Sequence, residues 1–430
     1  MHLSTRWFTS ESPRPRQVAT WAGAPWLAVV TVCLGAFLGQ FDASVVTLAL
    51  PAIQEEFGKS PEWVSLGYLL ALVALVAPVG RLSDVAGRKL VYLYGFTVFT
   101  AASAACAFAW DLPSLVAFRV VQAVGAAMLQ ANSVALVIAS VPKVKLHRAL
   151  GVQAAAQAVG LALGPTVGGL FVGTVGWRWV FAVNVPIGLL ALVAGHYLLP
   201  RTHDRGAGAP VRPLNVLLLA TATTGALLLL SGVDALYLLA VVVPAAVWYV
   251  AREPLLRKVG LGLFGAFCGY LALFGPLVVV PFTTDRGPVE TGLLLTALPA
   301  GFALTATARW RGSGLLGILV STVDCAVLAL GVVDAVTLGV LGLGLGLFVP
   351  ANNARLLAAV PRSDAGAGGG LVNLARGLGT AFGVALPLLL THRHGPGAAF
   401  WALAVVALLA ALGQMGTRTS VPYSRKGTAA

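Results

Sequence analysis

The feature that most constrains this chain is the recurrence of nearly uncharged apolar runs, each about as long as a bilayer is thick. A helix needs about 20 such residues to cross the hydrocarbon layer. Runs of that scale recur at 25–52, 63–80, 90–109, 113–140, 149–173, 178–199, 214–231, 236–250, 259–282, 291–308, 314–331, 335–353, 366–390 and 397–415. Of the 430 residues 58% are hydrophobic and only 10% charged, more apolar surface than a water-soluble fold can hide. The sequence therefore predicts an all-α polytopic membrane protein, since helices satisfy their own backbone polar groups in lipid. Connections are short, which leaves no room for a large soluble domain. The runs at 236–250 and 314–331 are marginal in length, and 214–250 reads either as two spans or as a hairpin dipping in from one side.

A net charge of +13 invites a nucleic-acid reading, but the basic residues are scattered between apolar runs and never form a patch. Membrane topology accounts for them instead. Alternate connections carry 22 basic residues on one side and 4 on the other, with Arg119 and Arg376 inside spans. Basic loops stay cytoplasmic, so the expectation is a cell-membrane protein with both termini inside. The first run is too long for a signal-peptide core and contains Asp42, which predicts a retained first span. Cys33, Cys106, Cys268 and Cys325 all lie in apolar runs without a CxxC pair or a nearby pair of histidines. They read as small buried hydrophobes, and no metal or cofactor is expected.

Charged residues inside spans are costly and mark partners or cavities. Asp42 lies about nine residues from the outer end of its run, or ~14 Å deep, and Arg119 about six residues from Pro113, or ~9 Å deep. An arginine is long enough to bridge that difference. The pair is either a static lock between two helices or a carboxylate that loses and regains a proton, its ionised form stabilised by the guanidinium in one state. Asp324, near the middle of its run, is either a second proton or cation site or a mark of a span that sits partly wet. Arg376 is expected to snorkel toward the cytoplasmic side. Gln122, Gln130, Asn132, Asn184, Asn352, Asn353 and Asn373 either line a cavity or hydrogen-bond between helices.

Three stretches carry fixed spacings. Gly80-Arg-Leu-Ser-Asp84-Val-Ala-Gly87-Arg88-Lys89-Leu90 is a polar connection. Gly80 and Gly87 permit a tight turn there, and Asp84 is placed to cap or charge-stabilise a helix start. Arg119-Val-Val-Gln122-Ala-Val-Gly125-Ala-Ala surrounds the buried arginine. From Gly151 to Gly169, read as a helix, Gly160, Gly164 and Gly168 stack on one face, which lets a second helix approach at backbone distance. Pro165 in the same run removes one amide donor and predicts a bend. Such a ridge is either a generic packing seam or a surface on which something pivots.

Together these stretches resemble the major facilitator superfamily, in particular its fourteen-span drug:proton antiporter branch. The loop resembles G-x-L-x-D-[RK]-x-G-[RK]-[RK], departing at Val85, and Arg119–Ala127 resembles R-x-x-Q-G-x-G-A-A, with Ala123 in place of the first glycine. Gly151–Gly169 is similar to G-x8-G-x3-G-P-x2-G-G at every fixed position. Asp42–Pro51 is similar to the branch's first-span signature, with Ser44 and Thr47 at the Thr and Asn places. Trp177–Gly188 is similar to the sixth-span opening, and Gly342–Asn353 and Asn373–Gly383 to late helices. The second half has no Asp-bearing copy of the loop, only Arg309-Trp-Arg311-Gly312.

The resemblance implies a major-facilitator fold of two six-helix bundles plus two extra spans. The divisions are a cytoplasmic tail at 1–24, a bundle at 25–200, a linker with the extra spans at 201–258, a second bundle at 259–415 and a tail at 416–430. It implies proton coupling by Asp42 and Arg119, and a conformational latch at Gly80, Asp84, Gly87, Arg88 and Lys89. It also implies packing of bundle against bundle by Gly151, Gly160, Gly164, Pro165, Gly168 and Gly169. Gln122, Gln130, Asn132, Asn184, Asp324 and Asn352 are the candidate cavity residues. The expected activity is proton-coupled export of small hydrophobic compounds such as an antibiotic, by a monomer in the bilayer, with no nucleic acid and no enzyme chemistry. No Walker loop accompanies these signatures, which argues against ATP drive. The alternatives are a carrier of another metabolite (amino acid, sugar or siderophore) and a membrane scaffold or enzyme without transport. Dense polar clusters would favour the first and His/Asp/Glu constellations the second.

Overall fold

The computed structural model describes residues 13–202, 254–306, 314–360 and 365–418, and every regular element among them is helical. In chain order the main helices are α1 (Ala24–Val45), α2 (Glu62–Ala86), α3 (Arg88–Ala107), α4 (Leu112–Ser140), α5 (Leu146–Thr174) and α6 (Asn184–Leu198). The second half supplies α7 (Pro254–Thr283), α8 (Pro288–Ala306), α9 (Gly314–Ala329), α10 (Ala335–Ala358), α11 (Ala365–His394) and α12 (Pro396–Arg418). Ten helices among the described residues are long and apolar enough to cross a membrane, and two shorter apolar ones lie at Glu62–Val76 and Gly314–Ala329. The expected spans at 214–231 and 236–250, the Arg309–Gly312 segment and the outer parts of both tails lie outside the described residues. The described helices therefore do not carry a count of fourteen.

The bundle is inside out relative to a soluble protein. Leu304 is 71% exposed and Leu190 63%, whereas Asp42, Gln122 and Asn184 are fully enclosed. Lipid accepts the first kind of side chain and not the second. Hydroxyls within spans turn back on their own helix. Thr31 donates to the Leu27 carbonyl at 2.9 Å, Ser83 to Val79 at 2.6 Å and Ser140 to Leu136 at 2.6 Å. Each thus stays paired without a partner on another helix. Exposed helix starts use acidic caps. Asp111 accepts from the Ser114 amide at 2.8 Å to open α4, and Asp334 accepts from the Thr337 amide at 2.8 Å to open α10. The side chains of Ser114 and Thr337, and then their amides, hold the two carboxyls below the usual range for Asp.

One hydrophobic core is built chiefly from α1–α6 and a second chiefly from α7–α12. The first span changes character after the C-terminal end of α1. After Val45 the chain makes a 3-10 turn at Val46–Leu48 and then a further helix, Leu50–Phe57. Pro51 has no amide hydrogen for the Thr47 carbonyl, so the regular ladder fails there, and such mid-span turns often serve as hinges.

The glycine ridge of α5 differs from expectation. A Cβ at Gly160 would lie 2.6 Å from the Phe37 carbonyl oxygen, and one at Gly168 2.8 Å from that of Val45. Gly164 faces Ser44. The ridge therefore seats α1 of the same bundle rather than the opposite bundle, because the helix turns that face inward. Across the midline, the Pro165 carbonyl and Gly169 both meet Gly292 of α8, Gly169 also meets Pro288, and Gly173 follows against Val289, so the expected packing of bundle against bundle is made at Pro165 and Gly169. Gly151 faces open space, and the α-helical assignment runs through Pro165 without a break.

The two halves close at the end remote from the N-terminus. Backbone meets backbone between α5 and α8, and the Thr166 and Thr296 hydroxyls join. Helix α2 meets α11 at Val73 and Gly377, and His392 Nδ1 lies 3.1 Å from Glu62 Oε1.

Candidate functional site

The densest polar cluster forms around Asp42 inside the first bundle. Arg119 Nη1 on α4 donates to Asp42 Oδ2 at 2.6 Å and to Gln122 Oε1 at 2.6 Å. Gln122 Nε2 donates to Asp42 Oδ1 at 2.9 Å and to Ser103 Oγ at 2.7 Å. Asn184 Nδ2 on α6 donates to Asp42 Oδ1 at 2.9 Å. The guanidinium is held from its other side by Nε donating to the Val64 carbonyl at 3.1 Å, and it stacks 4.0 Å from the centroid of the Tyr68 ring. Four helices and a carbonyl thus fix one carboxylate.

Local structure explains how these groups arrive. Arg119 and Gln122 are three apart on α4 and share a face. Asn184 is positioned by the connection before α6. There Arg178 grips Glu56 with two nitrogens at 2.9 and 2.7 Å, and Trp177 Nε1 donates to the same carboxylate at 2.6 Å. That clamp ties the end of the first span to the start of α6. The structure brings Asp42 and Arg119 together as expected. It also places Gln122 and Asn184 in their shell, not on a cavity wall.

A cavity of about 200 Å³ opens between the halves, bounded by α1, α4 and α5 on one side and α11 on the other. Its polar wall comprises Gln40, Gln130, Ser133, Gln153, Gln157, Asn373 and Arg376. Gln153 Nε2 donates to Ser133, and Arg376 Nη1 reaches across the midline to Gln157 Oε1 at 3.2 Å. Arg376 is therefore a cavity residue, a correction to the snorkelling expectation: α11 turns it toward α5 rather than along the membrane surface. Gln40, Gln153 and Gln157 were not singled out from sequence. Their signal was available as amides on apolar helices, with Gln153 and Gln157 one turn apart.

Of the other candidates, Gln130 lines the cavity. Asn132 instead donates to the Met128 carbonyl of its own helix at 2.8 Å, and Asn352 to the Gly262 carbonyl at 2.7 Å, fastening α10 to α7. Asp324 is buried in the second bundle and does not border this cavity. In the loop, Gly87 takes a left-handed φ of 98° between α2 and α3, while Gly80 packs within α2 toward Ala131. Lys89 is fully buried, its Nζ donating to the carbonyls of His196 at 2.9 Å and Leu199 at 3.0 Å. The amides of Arg88 and Lys89 donate to the Thr202 hydroxyl at the start of α3. The Asp84 side chain lies outside the described set.

Comparison with known proteins agrees with this architecture. The family model of the Major Facilitator Superfamily matches residues 32–339. The riboflavin transporter RibZ of Clostridioides difficile (strain 630) is 30% identical over 400 residues, covering 83% of this chain and 87% of its own. The methylenomycin A resistance protein of Streptomyces coelicolor is 30% identical over 430 residues, covering 89% and 90% respectively. The inward-open structure of the xylose transporter XylE from E. coli superposes with a TM-score of 0.69 at 15% identity, over 93% of this chain and 98% of that one. Two helical bundles with a cleft between them, matched in sequence along most of the chain, are those of a multi-pass membrane transporter, and this protein belongs to the Major Facilitator Superfamily.

Proposed function

We propose that this transporter is a proton-coupled exporter of small organic compounds, working by alternating access in the cell membrane with both termini in the cytoplasm. The observation that carries the reading is the position of Asp42, a fully buried, ion-paired carboxylate on the helix that also lines the cavity. Gln40 and Asp42 are only ~3 Å apart along the axis of α1 but on nearly opposite faces. A change at the carboxylate is thereby transmitted to the cavity wall by one short rod.

The ionised carboxylate accepts from three N–H donors. Protonation removes the negative charge that these donors hold, and so loosens α1 from α4 and α6. A different side of α1 rests at backbone distance on the glycine ridge of α5, and the 3-10 turn at Val46–Leu48 absorbs the change. Asp42 takes its proton from outside and releases it to the cytoplasm, carrying substrate the other way. In this reading residues 25–200 and 259–415 are the moving bundles, 201–258 joins them with two further spans, the working unit is a monomer, and the Gly80–Lys89 loop latches the cytoplasmic face in the outward-open state.

The match to an antibiotic resistance protein supports export. The match to a riboflavin transporter favours a second reading, a carrier for a heterocyclic nutrient. Inverted membrane vesicles separate them when challenged with a panel of antibiotics and riboflavin while lumenal pH and uptake are read together. Export predicts that one compound class enters the lumen and collapses the proton gradient. Asp42→Asn is expected to abolish that coupled flux while the protein remains in the membrane. Undiminished substrate-dependent proton movement in the variant overturns the assignment.

A further inference from the structure

We infer that the cavity between the halves selects aromatic compounds bearing an anionic group such as a carboxylate, with Arg376 as the residue that recognises the charge. The inference deepens the transport reading, resting on it for the identity of the cavity as the substrate site.

Four observations carry it. First, among the described residues Arg376 has no acidic partner: its Nη1 donates to the neutral amide oxygen of Gln157, and no described Asp or Glu lines the cavity. Among the described residues no carboxylate forms an ion pair with it, in contrast to Arg119, which has Asp42. A guanidinium presents several donors in a planar fork that matches a carboxylate. Second, the remaining polar wall is made of amides and the Ser133 hydroxyl, which donate to and accept from a ligand's ring oxygens and nitrogens without adding charge. Third, the floor is flat. A Cβ at Gly39 would meet nothing within 4 Å, so a ring can lie against the bare backbone of α1, with Leu129 and Val134 beside it. Fourth, a volume of about 200 Å³ is below the roughly 300–1,000 Å³ of drug-sized pockets, which suits one or two rings. A lipophilic cation finds no counter-charge here and meets Arg376.

The test uses the purified full chain in detergent and equilibrium dialysis with two probes of one shape and opposite charge, 2-naphthoate and 2-naphthylmethylammonium. The native protein is expected to bind naphthoate at least about tenfold more tightly than the ammonium. Arg376→Gln is expected to lose at least about tenfold in naphthoate affinity. Gln157→Glu, which hands the guanidinium a carboxylate and adds an ion pair to the fold, is expected to lose a comparable amount. Gly39→Leu fills the floor without touching Arg376 and removes binding of the naphthyl ring. A short-chain phosphatidylglycerol added as competitor should leave naphthoate bound; its displacement of naphthoate assigns the site to a lipid headgroup and overturns the proposal. So does an ammonium bound as tightly as naphthoate, or unchanged naphthoate affinity in both Arg376→Gln and Gln157→Glu. Because dialysis needs no proton gradient, a failure of coupled export leaves this result standing, and the reverse also holds.

Discussion

Three N–H groups converge on the two oxygens of Asp42, and the guanidinium of Arg119 also serves Gln122 and the Val64 carbonyl. Such a buried pair contributes little net stability relative to apolar side chains, but breaking it leaves an uncompensated charge. Arg119→Leu is accordingly expected to cost about 3–5 kcal/mol in thermal denaturation of the purified protein. Combining Asp42→Asn with Arg119→Leu should cost less than the two changes added together, since the double variant buries no lone charge. Strictly additive losses would show that the two side chains do not act as one network. This cycle does not separate a static lock from a proton carrier, because both predict coupling, and only the flux of Asp42→Asn does. The pair was legible in the sequence because Asp42 and Arg119 are opposite charges at compatible depths in apolar runs. Asn184 was harder to assign. Its amide points at the carboxylate only because the Glu56–Arg178 clamp sets where α6 begins.

At the scale of elements, the glycine spacing of α5 correctly announced a helix that another helix approaches closely, but not which helix. A period of four fixes a face and leaves its partner undetermined; the topology of the bundle turns that face to α1. The consequence is a graded prediction along one motif. Gly160→Val pushes a branched side chain into the Phe37 carbonyl and should destabilise the protein by about 1–3 kcal/mol, as overpacked cores do. Gly151→Ala meets nothing and should stabilise by about 0.5–1 kcal/mol through the lost flexibility of glycine in a helix. Equal effects at both positions would mean that the seam is not what the spacing serves. Melting temperatures of the two purified variants decide this.

For the whole molecule, a cavity between the halves and their close contact at the end remote from the N-terminus have a mechanical implication that sequence periodicity could not supply. The cavity wall draws on α1, α4, α5 and α11, helices far apart in the chain, so its amides were unremarkable one run at a time and Arg376 read as a membrane-surface arginine. The closure opposite the cavity rests on Gly169 and Gly292 at backbone contact, on Gly173 beside Val289, and on Glu62 with His392. If alternating access requires this seam to open, a covalent tie across it must stop the cycle. A Cβ at Gly173 would lie 2.9 Å from Val289 Cγ2, which puts cysteines at the two positions within the reach of a disulfide. The four native cysteines are buried, so they offer little competition for the oxidant. Gly173→Cys with Val289→Cys is expected to cross-link under mild oxidation, to lose substrate movement in vesicles, and to recover it on reduction. Each single variant should transport in both conditions. A cross-linked protein that still moves substrate at the native rate would mean that α5 and α8 stay together throughout, and that any opening lies elsewhere in the bundle.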